Sequence, residues 1–269
     1  MWKSIYKYVG IFEIQLKIST KYKFSFISGI VESLLQISIQ IAIWSQVYMQ
    51  KITINGLDKG EMFTYLMVSQ SLVVIFSFRN APERMISKKI RQGDIVYELA
   101  RPIHFMRARF FENMGDSLIN IILAFFMIIF FAVSSGGFSF PSDIDVYFFF
   151  GLSSCFSYMI MFSISILAGY LTFFTMNFWG IYNAKKAIVD LLSGALIPIS
   201  FFPQKIQKLF AYMPFEKIVY TPVMIFLEKY SIEERKMQLM IQFFWVVILL
   251  CLDEWIYRKA IRSITINGG

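Results

Sequence analysis

The feature that most constrains this chain is an apolar segment that proline interrupts three times. The segment runs from Gly194 to Pro222, and the interruptions are Pro198, Pro203 and Pro214. Each proline removes a backbone donor and clashes with the preceding turn. In hydrocarbon, irregular backbone is tolerated only where protein or a water-filled cavity surrounds it. The pattern therefore predicts a membrane helix that stops near one face and turns back as short amphipathic pieces.

The composition also indicates a membrane protein. Hydrophobic residues make up 57% of the chain and charged residues only 16%, whereas soluble domains usually carry about 25% charged residues. Cys155 and Cys251 lie inside apolar runs, so we expect buried, reduced thiols without a disulfide framework. The single histidine, His104, excludes most histidine-based metal and triad chemistry and is expected in a loop.

Apolar runs predict an all-α membrane protein with six transmembrane helices. Residues 1–23 are expected to form an amphipathic helix in the membrane interface, with lysines toward anionic head groups. Residues 24–269 are expected to form the transmembrane domain. The predicted spans are Phe24–Tyr48, Met62–Phe78, Leu118–Val133, Tyr147–Phe174, Ala187–Phe202 and Leu239–Ile256. The fifth span is short for a full crossing, which needs about 20 residues.

The distribution of basic residues predicts the orientation of these spans. Eighteen of the 26 lysines and arginines fall in segments on the same side as the N-terminus. Because cytosolic loops carry the excess of basic residues, both termini of this multi-pass cell-membrane protein are predicted to be cytoplasmic. Gly56, Gly137 and Lys229 are predicted to lie outside.

The predicted cytosolic loop 79–109 contains the pattern of a short helix. Pro82 can begin a helix at its first turn and Gly93 can end one. Such a helix has a small apolar stripe with a basic rim, which suits docking into a groove on a soluble partner. The residues assigned to this docking are Arg84, Met85, Ile86, Lys88, Lys89, Ile90 and Arg91. The alternative is that the basic residues only determine the topology.

A polar stripe lies in the first predicted span. Glu32, Gln36 and Gln40 recur at four-residue spacing and therefore share a helix face. Ionisable and amide groups are costly in lipid and normally face protein or water. The stripe predicts either the wall of a translocation path or a helix–helix contact held by hydrogen bonds. Both alternatives remain open, and in a dimer one surface can serve both roles.

Residues 202–230 predict an outer re-entrant helical hairpin. Ile206 and Leu209 lie on one face of its first piece, opposite Lys205 and Lys208. Each piece is too short to cross about 30 Å of hydrocarbon, yet too apolar for a free loop. The alternative is one irregular sixth span, which would place the C-terminal tail on the opposite side of the membrane.

Two of these segments resemble a known family. Gly194–Pro203, followed by Pro214 and Pro222, is similar to the Gly…Pro…Phe-Pro…Pro-Phe…Pro pattern of permease subunits of the type-2 ABC exporters. The segment Ile90–Ile103 resembles the Gly-Asp…Leu…Arg-Pro loop of the small six-span permeases in that family. The predicted order of helices extends the resemblance to nearly the whole chain.

The resemblance implies the transmembrane subunit of an ATP-driven exporter. Two permease subunits, identical or paralogous, would pair to form the path, and each would dock on a separate ABC ATPase subunit that binds ATP and magnesium. The outer segment would cap the exit, and its prolines would form the outer gate: Pro198, Pro203, Pro214 and Pro222. The expected partners are this ATPase, the second permease and the lipid bilayer, but no nucleic acid.

No catalytic motif contradicts this interpretation. The sequence contains no Gly-x-x-x-x-Gly-Lys-Ser/Thr phosphate loop, and no metalloprotease or serine hydrolase motif, so we expect no enzymatic activity and no cofactor in the chain itself. Two other functions remain open. One is a channel or secondary carrier that uses the Glu32 stripe as an ion path, and the other is a non-transporting immunity or assembly protein of the membrane.

Overall fold

A computed structural model describes residues 2–21, 23–49, 52–77, 81–94, 97–98, 103–135, 138–175 and 178–264. In these residues the protein is all-α, apart from a small hairpin of two antiparallel strands, β1 (Thr53–Ile54) and β2 (Leu57–Asp58). The helices are α1 (Trp2–Lys21), α2 (Lys23–Val47), α3 (Lys59–Phe76), α4 (Pro82–Gln92), α5 (Phe105–Ser135), α6 (Ile144–Thr175), α7 (Phe178–Leu192), α8 (Gln204–Ala211), α9 (Tyr220–Phe226) and α10 (Ile232–Ile264).

Three helices are long and apolar enough to cross a membrane. They are α5 over Phe105–Phe131, α6 over Ile144–Thr172 and α10 over Ile232–Lys259. They contain most or all of the predicted third, fourth and sixth spans. The predicted first and second spans correspond to α2 and α3, whereas the predicted fifth span overlaps only the end of α7. The crossing of the membrane by these helices remains a prediction.

The predicted bounds of the fifth span, Ala187–Phe202, are wrong. Helix α7 ends at Leu192, and Gly194 then takes the left-handed φ of 81°. A short 3-10 helix over Ile199–Phe201 follows Pro198. A left-handed glycine is typical of a helix end, and Pro198 disfavours helical backbone at residue 197. The apolar sequence therefore continues here while the helix does not.

Helix α6 lies at the centre of the bundle. It packs against α3, α4, α7, α9 and α10, whereas α5 packs against α1 and α3, and α2 packs against α3. Small polar residues of α6 are fully buried at these contacts and allow neighbouring backbones to approach closely. They are Ser153, Ser157, Ser163 and Ser165.

One end of the bundle carries the strand hairpin and is called the hairpin end. Here Lys229 Nζ donates to the carbonyl oxygen of Gly56 at 3.0 Å and pairs with Glu61 at 2.6 Å. Glu228 accepts a hydrogen bond from the Ser142 backbone N–H at 2.9 Å. Segments predicted to lie on the outer side are therefore together. Gly137, the other predicted outer marker, lies outside the described residues.

The opposite end carries α4 and is called the α4 end. His104 lies before α5, in the loop position expected for it, and its Nε2 is 3.4 Å from a carboxylate oxygen of Glu254 on α10. The rings of Phe105 and Tyr257 stack with their centroids 5.8 Å apart. The start of α5 and the last turns of α10, both predicted to be cytosolic, therefore meet at this end.

Helix α1 lies along the first turns of α5, and the contact is partly polar. Tyr8 stacks on Phe111 with ring centroids 5.4 Å apart, and Gln15 Nε2 donates to Asp116 Oδ1 at 2.8 Å. Gly115 allows this approach, because a Cβ there would lie 3.0 Å from the Phe12 carbonyl oxygen. A position of α1 in the membrane interface remains a prediction.

The expectation of buried cysteines is wrong for this chain. Cys155 and Cys251 are free thiols on exposed positions of α6 and α10. An apolar run contains residues on all sides of its helix, and in a membrane protein the outward side also faces an apolar environment. Apolar sequence around a cysteine therefore does not fix the side of the helix on which it lies.

Candidate functional site

The short helix predicted in the cytosolic loop is present as α4. Pro82 occupies its first turn, and Gly93 ends it in the left-handed conformation with φ of 76°. Proline is tolerated at a first turn because the backbone donor it removes has no intrahelical partner there. Some residues of the predicted loop 79–109, before and after α4, lie outside the described residues.

The apolar side of α4 packs against α6 of the same chain. Ile86 is 0% exposed and lies in a cluster with Phe162, Ile166 and Tyr170. Gly169 makes the approach possible, because a Cβ there would lie 2.7 Å from Ile86 Cδ1 and 3.1 Å from Glu83 Cα. The predicted docking role of Ile86 is therefore corrected, since a side chain enclosed by its own chain cannot contact a partner.

The opposite side of α4 is basic and exposed. Arg84, Lys88 and Arg91 are exposed and lie at i, i+4 and i+7, which places them on one face. Met85 and Ile90 are half-buried beside this face. The structure therefore divides the predicted docking residues into an exposed basic group and a group that holds α4 in place.

The C-terminal half of α4 is held by a compact cluster of charges. Glu98 accepts from Lys89 Nζ at 2.6 Å and from Arg109 at 3.1 Å, and Arg109 also pairs with Glu112 at 2.7 Å. Burial lowers the pKa of Lys89, and the hydrogen bond that Lys89 donates to the Glu98 carboxylate opposes this shift. Lys89 therefore belongs to the residues that hold α4, not to its exposed basic face.

The N-terminal turn of α4 is held by a buried ion pair. The carboxylate of Glu83 pairs with Lys185 Nζ on α7, and Lys185 Nζ also donates to Ser165 Oγ on α6 at 3.1 Å. Two cations lie near the Tyr182 ring, Lys185 Nζ at 5.7 Å and the Arg84 guanidinium at 5.9 Å from its centroid. Sequence analysis did not identify this pair, whose partners are 102 residues apart.

The predicted polar stripe of α2 is divided by the fold. Gln36 Oε1 accepts a hydrogen bond from Gln70 Nε2 on α3 at 3.3 Å, and Gln40 is buried. Glu32 is exposed. The structure therefore supports a helix–helix contact within the chain for Gln36, and leaves Glu32 on the surface. The same surface of α2 exposes Val31, Leu35, Ile39, Ile43 and Val47.

The proline-broken segment leaves the bundle after α7 and returns to the same place. The Tyr220 backbone N–H donates to the Ser193 carbonyl at 3.0 Å, and the Tyr65 hydroxyl donates to the Gly194 carbonyl at 2.6 Å. The two carbonyls that directly follow α7 are therefore satisfied by α9 and α3. This is the internal satisfaction that irregular backbone requires inside a membrane.

Each of the four prolines assigned to the outer gate lies in a turn or at the start of a helix. Pro198 precedes the 3-10 helix, and Pro203 precedes α8. Pro214 lies in the turns between α8 and α9, and Pro222 lies in the first turn of α9. These positions fit the restriction of proline to turns and first helical turns. A gating role remains a prediction.

The returning part of the segment reaches the middle of the bundle. The Lys217 carbonyl accepts from Ser157 Oγ and from Gln242 Nε2, both at 2.8 Å. The Lys217 side chain is 1% exposed, donates to Gln238 at 2.8 Å and pairs with Glu216 at 3.3 Å. Ser157 lies 13 residues after the start of α6, or about 20 Å along the helix.

Sequence analysis did not single out the pair at 216–217. The available indication was two adjacent opposite charges between Pro214 and Pro222, in an otherwise apolar context. Among the described residues, no group of three or more histidine, cysteine or acidic side chains is arranged to hold a metal ion.

The sequence of residues 34–268 matches the model of a protein family described as "ABC-2 family transporter protein". The matched region begins within α2 and includes α4, the proline-broken segment and α10. A comparison with curated proteins gave no match.

Proposed function

The chain belongs to the ABC-2 family of transporter proteins, since the family match covers well over half of its length, and from this premise we propose that it is the permease subunit of an ATP-driven exporter. The resemblance inferred from the sequence is thereby confirmed at the level of the family. In the proposed function, a second permease subunit, identical or paralogous, completes the translocation path. A separate ATPase subunit binds ATP and magnesium and docks on α4.

The two-sided surface of α4 is the observation that carries this proposal. Its apolar side is enclosed by α6 through Ile86, and both of its ends are held by ion pairs at Glu83 and Lys89. Its basic side is exposed at Lys88 and Arg91. A partner bound to that side would therefore pass its movement through α4 to the helices that hold α4 in place. Charge complementarity favours a partner surface that is acidic.

The two ends of the bundle fit the orientation predicted from charge. We assign the α4 end to the cytosol, where an ATPase is located, and the hairpin end to the outside. Both termini are then cytoplasmic, and the proline-broken segment enters the bundle from the outer face. Its hydrogen bonds with Tyr65 on α3 and Ser157 on α6 support a role in which it caps an outward path.

The surface of α2 is the proposed contact with the second subunit or with the path. Glu32 is exposed there among apolar side chains such as Val31 and Leu35. A carboxylate in contact with lipid is costly, so this surface fits a protein partner or a hydrated path better than hydrocarbon.

The test is the retention of an ATPase by charge-reversed variants. The wild-type chain, purified in mild detergent from its native membrane, should carry a P-loop ATPase that mass spectrometry identifies. Lys88→Glu with Arg91→Glu should reduce the amount of retained ATPase by about tenfold or more, because the two new carboxylates would face the acidic surface proposed for the ATPase. The thermal unfolding of the permease should not change.

The matched control is Arg258→Glu with Lys259→Glu, which reverses two exposed charges at the same end of the bundle on α10. These variants should retain the ATPase. Equal retention by both pairs would refute docking through α4. If no P-loop ATPase accompanies the wild-type chain, the proposed function itself is wrong.

A further inference from the structure

A contribution to stability does not explain why a buried ion pair joins α4 and α7. Glu83 is 0% exposed, and the Lys185 side chain is 9% exposed. One carboxylate oxygen of Glu83 is buried without a hydrogen-bond partner among the described residues. The desolvation of two charges offsets most of their attraction, and well-packed apolar residues are often at least as stabilising as a buried pair.

The pair connects three helices at one point. Glu83 belongs to the first turn of α4, Lys185 to the middle of α7, and Ser165, which accepts from Lys185 Nζ, to α6. The Tyr182 ring adds a second contact, since the Arg84 guanidinium lies 5.9 Å from its centroid. Helix α4 therefore contacts α7 through charged groups with defined geometry, whereas it contacts α6 mainly through apolar side chains.

Helix α7 leads from this pair directly to the proline-broken segment. Lys185 lies seven residues before the helix ends at Leu192, which corresponds to about 10 Å of continuous helix. The next two carbonyls, those of Ser193 and Gly194, accept from Tyr220 and Tyr65. A displacement of α7 along its axis would therefore act at once on two of the hydrogen bonds that attach the segment to the bundle.

We propose that the Glu83–Lys185 pair transmits movement of α4 to α7, and through α7 to the proline-broken segment. The inference rests on the proposed function, in which an ATPase moves α4. Apolar contacts between α4 and α6 permit small sliding, but a buried charge cannot leave its partner without a large cost. The pair thus fixes the axial register of α7 relative to α4.

The test uses a double substitution that removes both charges together. Glu83→Gln with Lys185→Met leaves no unpaired buried charge, so the chain should fold with a thermal stability equal to or above that of the wild type. The matched control is Lys186→Met with Asp190→Asn. This pair is also on α7 and is joined at 2.7 Å, but Lys186 is exposed and the pair lies within a single helix at i, i+4 spacing.

The measurement reports the proline-broken segment and needs no knowledge of the substrate. Tyr212, which follows α8 and is 81% exposed, is changed to cysteine in a chain that carries Cys155→Ser and Cys251→Ser. The complex with its ATPase is placed in liposomes, and the labelling rate with an impermeant maleimide is compared with and without ATP plus vanadate. Thr53→Cys in the strand hairpin serves as the outer reference position.

In the wild type and in the control pair, ATP plus vanadate should change the labelling rate at position 212 by about fivefold or more, as expected for coupled sites. In Glu83→Gln with Lys185→Met this change should disappear, although the ATPase stays bound and hydrolyses ATP. A retained ATP response, or loss of ATPase binding in this variant, would overturn the transmission role. A wild-type complex without ATP response would instead count against the proposed function.

Discussion

Helices α4 and α8 are both short and amphipathic, yet the fold uses their apolar sides differently. Helix α4 encloses Ile86 against α6, and both of its ends are held by ion pairs. Helix α8 buries only Phe210, whose ring lies 5.5 Å from that of Phe202, and leaves Ile206 and Leu209 exposed. One apolar face is internal to the chain, and the other is on its surface.

The difference teaches what an amphipathic pattern specifies. It defines two faces of a helix, but not the element that covers the apolar one. For α4 that element is α6, because Gly169 has no side chain to prevent the approach. For α8 no covering element is present among the described residues, and its hydrogen bonds run back to the chain just before it. Gln207 donates to the carbonyls of Phe202 and Ser200 at 2.6 and 3.1 Å.

The largest expected effect separates the two apolar faces directly. Ile86→Ala should lower the free energy of unfolding by about 2–4 kcal/mol, because it leaves a cavity in an enclosed contact. Ile206→Ala, the same change on α8, should alter it by less than about 0.5 kcal/mol. Thermal or denaturant unfolding in one detergent measures both. Equal losses would show that α8 is enclosed as well, and the comparison would fail.

A second prediction concerns the glycine on which α4 rests. Gly169→Ala places a Cβ 3.1 Å from the Glu83 Cα, which forces α4 to shift and should cost about 1–3 kcal/mol of unfolding free energy. Gly151 lies on the same helix and would meet no atom within 4 Å. Gly151→Ala should therefore stabilise the chain by about 0.5–1 kcal/mol through helix propensity. The opposite signs make the pair a matched test by unfolding, and a stabilising Gly169→Ala would contradict the close approach.

The sequence predicted those features of the fold that local chemistry determines. Pro82 and Gly93 set the ends of α4, and the prolines after Gly194 exclude a continuous helix there, as the structure confirms. The predicted third span began at Leu118, whereas α5 begins at Phe105. Apolar length defines the part of a helix that suits hydrocarbon, but the helix itself continues as long as its polar residues find partners.

The buried charges could not be predicted from the sequence. Nothing in the sequence around Glu83 or Lys185 indicates burial, and the two residues pair only because the fold brings α4 and α7 together. Lys217 likewise becomes a central residue only because the proline-broken segment returns to Ser157 and Gln242. Periodicity reports one helix at a time, whereas these contacts depend on residues far apart in sequence.

The smallest expected effect sharpens the comparison at the point where the outer segment is attached to the bundle. Tyr65→Phe removes the hydroxyl that donates to the buried Gly194 carbonyl at 2.6 Å and should cost about 1 kcal/mol, the net value of one internal hydrogen bond. Tyr212→Phe, on the exposed side after α8, should change the free energy of unfolding by less than about 0.5 kcal/mol.

If the segment is held at its two ends while α8 remains free, Tyr65→Phe should also speed the maleimide labelling of a cysteine at position 212, whereas a cysteine at position 53 should label at an unchanged rate. Unchanged labelling at position 212 would mean that α8 is held by contacts of its own, and its exposed apolar face would then need a covering partner.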